Sequence, residues 1–266
     1  MKMDNSRQLA TGFLVLGCIV SVVLAGCVVG PQAGNEEKAS RLDRSLYQAA
    51  QSFERRLDYA TAVRYYRKLY QRDTKAVKAV VGLSSVLRRL QQSREAQAIV
   101  LRALADAPKD VDLRAEQGKI QLALGETLKA IESLSLVDTE IKGGRWDIKV
   151  AMAIAYDRLG MYEQAERRYR QALDLSPENP VIMNNFSLSL AQAGNLSEAL
   201  EILERATALP EATPRMRQNL ALLYAMKGNL TLAEMYVRRD MPPNIADHNM
   251  AYYRKLRTNL TPSATR

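Results

Sequence analysis

Apolar and small residues recur along this chain in stretches of like make-up. Phe53–Leu69, Leu87–Ala103, Tyr156–Ala172, Leu190–Ala206 and Tyr224–Asp240 share one arrangement. Ala62, Ala96, Ala130, Ala165, Ala199 and Ala233 fill the same slot in six successive copies. The copies start at residues 43, 77, 111, 146, 180 and 214, and fill 43–244. Their period of about 34 residues predicts a helix–turn–helix unit in each copy. Gly125, Gly160, Gly194 and Gly228 fall where the first helix of a copy must end. Glycine there takes the left-handed cap conformation without steric cost. Pro108 and Pro177 stop a second helix before the next copy begins. The shared alanines let the two helices of a copy approach closely. After the sixth copy, Ile245 to Arg257 reads as one closing helix, and 258–266 as a frayed tail.

The clearest copy runs through Gly160-Met161-Tyr162-Glu163-Gln164-Ala165 to Ala172 and Pro177, in a pattern of large residues at positions 4, 7, 11 and 24, small ones at 8, 20 and 27, and proline at 32. This resembles the tetratricopeptide repeat. The resemblance implies an all-α solenoid of about six repeats with a C-terminal capping helix. A hydrophobic content of 47% supports a continuous core along such a stack. One joint departs from the pattern. Lys142-Gly143-Gly144-Arg145 replaces the usual proline and adds a residue. The copy before it carries Arg114, Gln117 and Gln121 where bulky groups are usual. Both a degenerate repeat and a hinge fit this joint.

The first 30 residues follow a different rule. Lys2 and Arg7 precede an apolar run from Leu9 to Leu24, which ends at Leu24-Ala25-Gly26-Cys27. A basic start, a short apolar stretch and small residues at its end are the layout of a secretory signal over residues 1–26. Thr11, Gly12, Gly17 and Ser21 make the run weakly apolar for a membrane span. The four residues ending at Cys27 resemble a bacterial lipobox. That resemblance implies cleavage before Cys27 and acylation of the cysteine. Val28, where such lipoproteins carry Asp for inner-membrane retention, implies the outer membrane. Residues 27–42 then read as the lipidated cysteine and a flexible linker. Cys18 would leave with the signal, so the mature chain would hold no disulfide and rely on packing.

Little in the chain suggests catalysis. His248 is the single histidine, too few for a Ser-His-Asp set or a Cys/His metal site. Gly143-Gly144 has no strand before it, so no phosphate loop is predicted. Glu163 with Arg167, and Glu166 with Arg170, are spaced as helix-surface pairs. The expected protein is no enzyme and uses no cofactor, metal or small-molecule substrate. The formal charge of +9 would fall to +8 on loss of Lys2, Asp4 and Arg7. An exported protein rarely meets nucleic acid, so this charge suits acidic partner surfaces or lipid headgroups.

A binding surface remains. In the repeat fold it resembles, positions 2, 5, 9, 12 and 13 of each first helix line a concave groove. Repeats one and two place Arg44, Tyr47, Gln51, Glu54 and Arg55, then Lys78, Val81, Ser85, Arg88 and Arg89 there. Repeat four adds Ile154. Repeats five and six place Val181, Asn184, Leu188, Ala191 and Gln192, then Arg215, Gln218, Leu222, Ala225 and Met226. The expected groove runs from basic to apolar and suits an amphipathic helix or extended peptide, unless the closing helix covers part of it. Tyr47 and Gln51 stand where a carboxylate-clamp repeat needs Lys and Asn, which disfavours a chaperone-tail receptor.

The C-terminal stretch carries a narrower resemblance. Arg217-Gln218-Asn219-Leu220-Ala221-Leu222, Gly228-Asn229-Leu230, Asp240-Met241-Pro242-Pro243 and Asn249-Met250-Ala251-Tyr252 resemble the TadD family of Tad (Flp) pilus assembly lipoproteins. That resemblance implies a periplasm-facing adaptor, pilotin-like toward an outer-membrane secretin or another pilus assembly protein. A scaffold of the outer-membrane protein insertion machine and an adaptor for peptidoglycan enzymes share the same build.

Overall fold

The computed structural model describes residues 31–260, and side chains from 39 to 257. Cys27 and the signal segment lie outside the described residues. Every element among the described residues is a helix. The first is α1 (Pro31–Arg55), followed by α2 (Tyr59–Arg72), α3 (Val77–Arg89), α4 (Ser93–Asp106) and α5 (Val111–Ala123). Next come α6 (Thr127–Glu140), α7 (Trp146–Arg158), α8 (Tyr162–Leu175), α9 (Pro180–Gln192) and α10 (Leu196–Ala208). The series ends with α11 (Pro214–Lys227), α12 (Leu230–Asp240) and α13 (Pro243–Leu260). From α3 to α12 odd and even helices pair into five repeats, α1 and α2 meet through Phe53–Tyr65 stacking and the Tyr66–Glu54 hydrogen bond, and α13 packs on α11 and α12. The chain divides after Leu42, and the repeats form the unit that begins at Asp43. No helix among the described residues is long and apolar enough to cross a membrane.

Two expectations at the ends of the stack are corrected. The linker expected over 27–42 is helical from Pro31 onward. Proline suits the first helical position, and Gln32, Ala33, Glu36, Glu37, Lys38 and Ala39 are good helix formers. The closing helix is longer than 245–257. It starts at Pro243 and takes in three residues of the expected tail.

The repeated sequence slots explain the packing. All six shared alanines are fully buried. Tyr66 and Tyr169, at the equivalent large position, are buried and donate hydrogen bonds to Glu54 Oε2 (3.0 Å) and Asp157 Oδ2 (2.9 Å). Burial pushes both phenols up from their ordinary value, and the facing carboxylates add to this. Gly82 makes room for Tyr66. A Cβ at Gly82 would sit 2.3 Å from that ring.

The turn inside each repeat is closed by a residue in the left-handed region. In repeats three to six it is glycine, with φ between +70° and +92°. The following residue donates back to the helix, as in Met161 N–H to Tyr156 O (3.0 Å) and Asn195 N–H to Leu190 O (2.8 Å). Repeats one and two make the same turn with Leu57 and Gln91, both at φ 63°. Their closing bonds, Asp58 to Phe53 O and Gln92 to Leu87 O, are 3.0 and 2.9 Å. A side chain there costs about 1 kcal/mol against glycine. Leu57 is exposed. Leu57→Gly is therefore expected to raise stability by about 0.5–1 kcal/mol in urea melts, and Gly160→Leu to lower it.

The irregular joint is filled. Lys142 and Gly143 take positive φ, and Lys149 lies directly beneath Gly143. Lys149 Nζ pairs with Asp138 Oδ2 at 2.7 Å, both side chains nearly buried, with Arg168 at 3.8 Å. Val137, Ile148 and Met152 carry one hydrophobic cluster across the joint. Ile154 and Tyr156 belong both to that cluster and to the next. The core is continuous there, which fits a degenerate repeat better than a hinge.

Candidate partner-binding groove

The first helices of the repeats place their positions 5, 9 and 12 along one side of the stack. Two hollows open there. The first, about 380 Å³, is lined by Tyr47, Lys78 and Val81 from α1 and α3, with Tyr66 at its floor and Asp112 at its edge. The second, about 450 Å³, reaches from α3 to the start of α11. Arg88, Arg89 and Ile154 line it, joined by Trp146, Val181 and Arg215. Both volumes fall in the range of ligand-sized clefts. A third hollow of about 570 Å³ lies among α8, α9 and α10, around Arg170 and Phe186, and holds none of the expected groove residues.

The structure thus gathers Tyr47, Lys78 and Val81 in one hollow and Arg88, Arg89 and Ile154 in the next. The other expected groove residues sit elsewhere. Arg44 is exposed on α1 outside either hollow. Asn184 accepts a hydrogen bond from Asn219 Nδ2 (2.8 Å), which ties α9 to α11. Leu188 and Gln218 are half-buried and line neither hollow. Leu222 packs against the cluster of Ala246, Met250 and Tyr253, so α13 covers that end of the apolar stripe. Met226 packs against the core of repeats four to six.

The expected basic end needs correction. Arg88 is bound at Nε and Nη2 to the two carboxylate oxygens of Glu116, at 2.8 and 3.1 Å. Glu116 is 2% exposed and Arg88 only 18%. Arg88 therefore serves as the wall of the groove and is not a free cation. The same holds deeper in. Lys119 pairs with Asp147, and Arg145 spans Asp147 and Asp112. Burial pushes the Asp147 carboxyl up. The bonds and charges from Arg145 and Lys119 outweigh that and hold it well below the usual carboxylate range.

Sequence reading overlooked the middle of the groove. The position rule that gave the outer repeats also gives Lys119, Leu122, Asp147 and Val150 in repeats three and four, and all four line the larger hollow. Trp146 lies one place before the rule's first position. Its signal was its singularity, since it is the one tryptophan of the chain.

A stack of paired helices with a trough along its first helices defines an α-solenoid interaction scaffold. Two family models, each described as tetratricopeptide repeat, match residues 81–141 and 158–226. Those two stretches match tetratricopeptide repeats, and the described helices form a solenoid of that kind. Over 91 residues it is 34% identical to the TPR repeat-containing thioredoxin of Arabidopsis thaliana, covering 34% of this chain. The chain spans 13% of the length of that relative. Among solved structures, a thermophilic TPR protein of Thermus thermophilus is similar at TM-score 0.59 and 23% identity, over 68% of this chain and 100% of that one. PilW, a widely conserved type IV pilus biogenesis factor, gives 0.59 and 18%, over 82% and 98%. The pilF protein of Pseudomonas aeruginosa gives 0.56 and 14%, over 80% and 98%. At these identities the likeness shows the fold alone.

Proposed function

We propose that this chain is an outer-membrane lipoprotein that works as an adaptor in pilus assembly, pilotin-like toward a secretin of a Tad (Flp) system. The observation that carries the reading is the larger of the two groove hollows, which joins residues from five repeats around Trp146 and Ile154. A trough of this kind holds a partner segment and needs no reacting group. Among the described residues no cluster of three or more metal-ligating side chains occurs. The lipobox ending at Cys27 supplies the address, and several acyl chains on one residue hold a protein firmly where one chain is marginal. The pilus factor PilW shares the fold over nearly its whole length, which supports the pilus setting.

Secretin multimer level in cells tests this reading. Cys27→Ser is expected to release the protein from outer membrane and lower the multimers. Val181→Asp with Leu188→Asp puts two charges beside the trough at positions that are exposed and half-buried. That pair is expected to lower multimers while membrane attachment and helicity stay unchanged. Normal multimers and pili in a strain lacking the whole protein would end the pilus role and favour the insertion-machine or peptidoglycan adaptor.

A further inference from the structure

We infer that the groove selects a partner segment with an apolar centre flanked by acidic groups, read by Arg89 and Arg215 on either side of Trp146. The inference rests on the adaptor reading and adds the chemistry of the occupant. Its ground is the way charge is distributed in the larger hollow. Every cation deep in the trough already has a carboxylate: Arg88 has Glu116, Lys119 has Asp147, and Arg145 spans Asp147 and Asp112. That floor is neutral. Arg89 and Arg215 line the same hollow, are exposed, and form no ion pair with any described residue. Arg89 lies over the Tyr59 ring, its guanidinium carbon 5.7 Å from the centroid. Such stacking orients the guanidinium and leaves its N–H edge free to bind.

Between these two cations runs an apolar strip, with Asn185 and the paired Lys119 and Asp147 beside it. Trp146, Val150, Ile154 and Val181 contribute to it, and Val181 is 42% exposed. An unpaired guanidinium at each side of an apolar strip complements a segment built the opposite way. Carboxylates bind guanidinium bidentately, which fixes register as well as adding attraction. A basic segment would meet only like charge at the rim, because Asp147 and Glu116 are already engaged. A neutral apolar segment would gain the strip alone. The partner is therefore a protein segment of acidic–apolar–acidic pattern.

Trp146 reports on this hollow directly, because its emission is the only tryptophan signal of the chain. The full-length protein in dodecyl maltoside would be titrated with a capped Asp-Asp-Leu-Phe-Leu-Asp-Asp peptide. Counterparts carrying Asn or Lys in place of Asp, inorganic phosphate, and micelles doped with phosphatidylglycerol complete the set. The acidic peptide is expected to shift Trp146 emission and to bind more weakly as salt rises. Arg89→Ala or Arg215→Ala is expected to weaken it by about ten-fold each, the loss of one charge-assisted bond. Equal binding of the Asn or Lys peptide to the unaltered protein would overturn the inference, as would a shift only with phosphatidylglycerol or phosphate, or none with the acidic peptide. If the groove variant fails in cells while peptide charge is immaterial, the adaptor reading stands and this inference falls. Arginine-dependent acidic binding alongside a groove variant that is normal in cells gives the reverse.

Discussion

Lys149→Met is expected to lower stability by about 3 kcal/mol, read as a shift of the urea midpoint at unchanged slope. Lys149 and Asp138 are each about a tenth exposed, and their 2.7 Å bond is the main compensation for two buried charges. Removing the lysine leaves the Asp138 carboxylate with Arg168 alone, at 3.8 Å. That distant partner keeps the cost at the lower end of the range for broken buried pairs. The pair is also imperfect, because Asp138 Oδ1 is buried without a hydrogen-bond partner. Adding Asp138→Leu to Lys149→Met removes both charges and should recover most of the loss, as apolar replacement of whole buried pairs commonly does. A double variant no more stable than the single one would refute this account of the joint.

Glu116→Leu has the second large effect. It takes the carboxylate partner from Arg88 and is expected to cost about 2–3 kcal/mol, less than a fully buried pair because water reaches Arg88. Arg88 then turns into the trough as a third free cation. Binding of the acidic peptide to the remaining folded protein should tighten, and its salt dependence should steepen. An unchanged melting midpoint would show that the pair contributes nothing, and that Arg88 is already available to a partner.

The architecture was legible because each repeat had to solve one packing problem with one set of residues. The six alanines marked the close approach of paired helices, and four glycines marked the turns. Leu57 and Gln91 concealed the same turn in the first two repeats, since a non-glycine residue at positive φ leaves no trace in sequence. The start of α1 was missed because Gly30-Pro31 reads equally as linker or as helix entry. The groove was legible only in outline. Position rules tell which residues face the trough but not which are already paired. Glu116 lies at position 6, off the groove face, and nothing in its local sequence links it to Arg88 in the repeat before. Leu222 was lost to the stripe because α13 packs over it, a contact made across separate helices.

The two turns without glycine have a mechanical consequence. In a linear stack each repeat is held by itself and its neighbours, so stability is distributed unevenly and unfolding starts where it is lowest. The strained turns at Leu57 and Gln91 make the first two repeats the compliant end. Cys27 lies on that same side in the chain. A load applied from the N-terminal side of the stack would reach those repeats first. Because Arg88, Arg89 and Gln91 of the second repeat line the larger hollow, yielding there would reshape that end of the groove and couple grip to load.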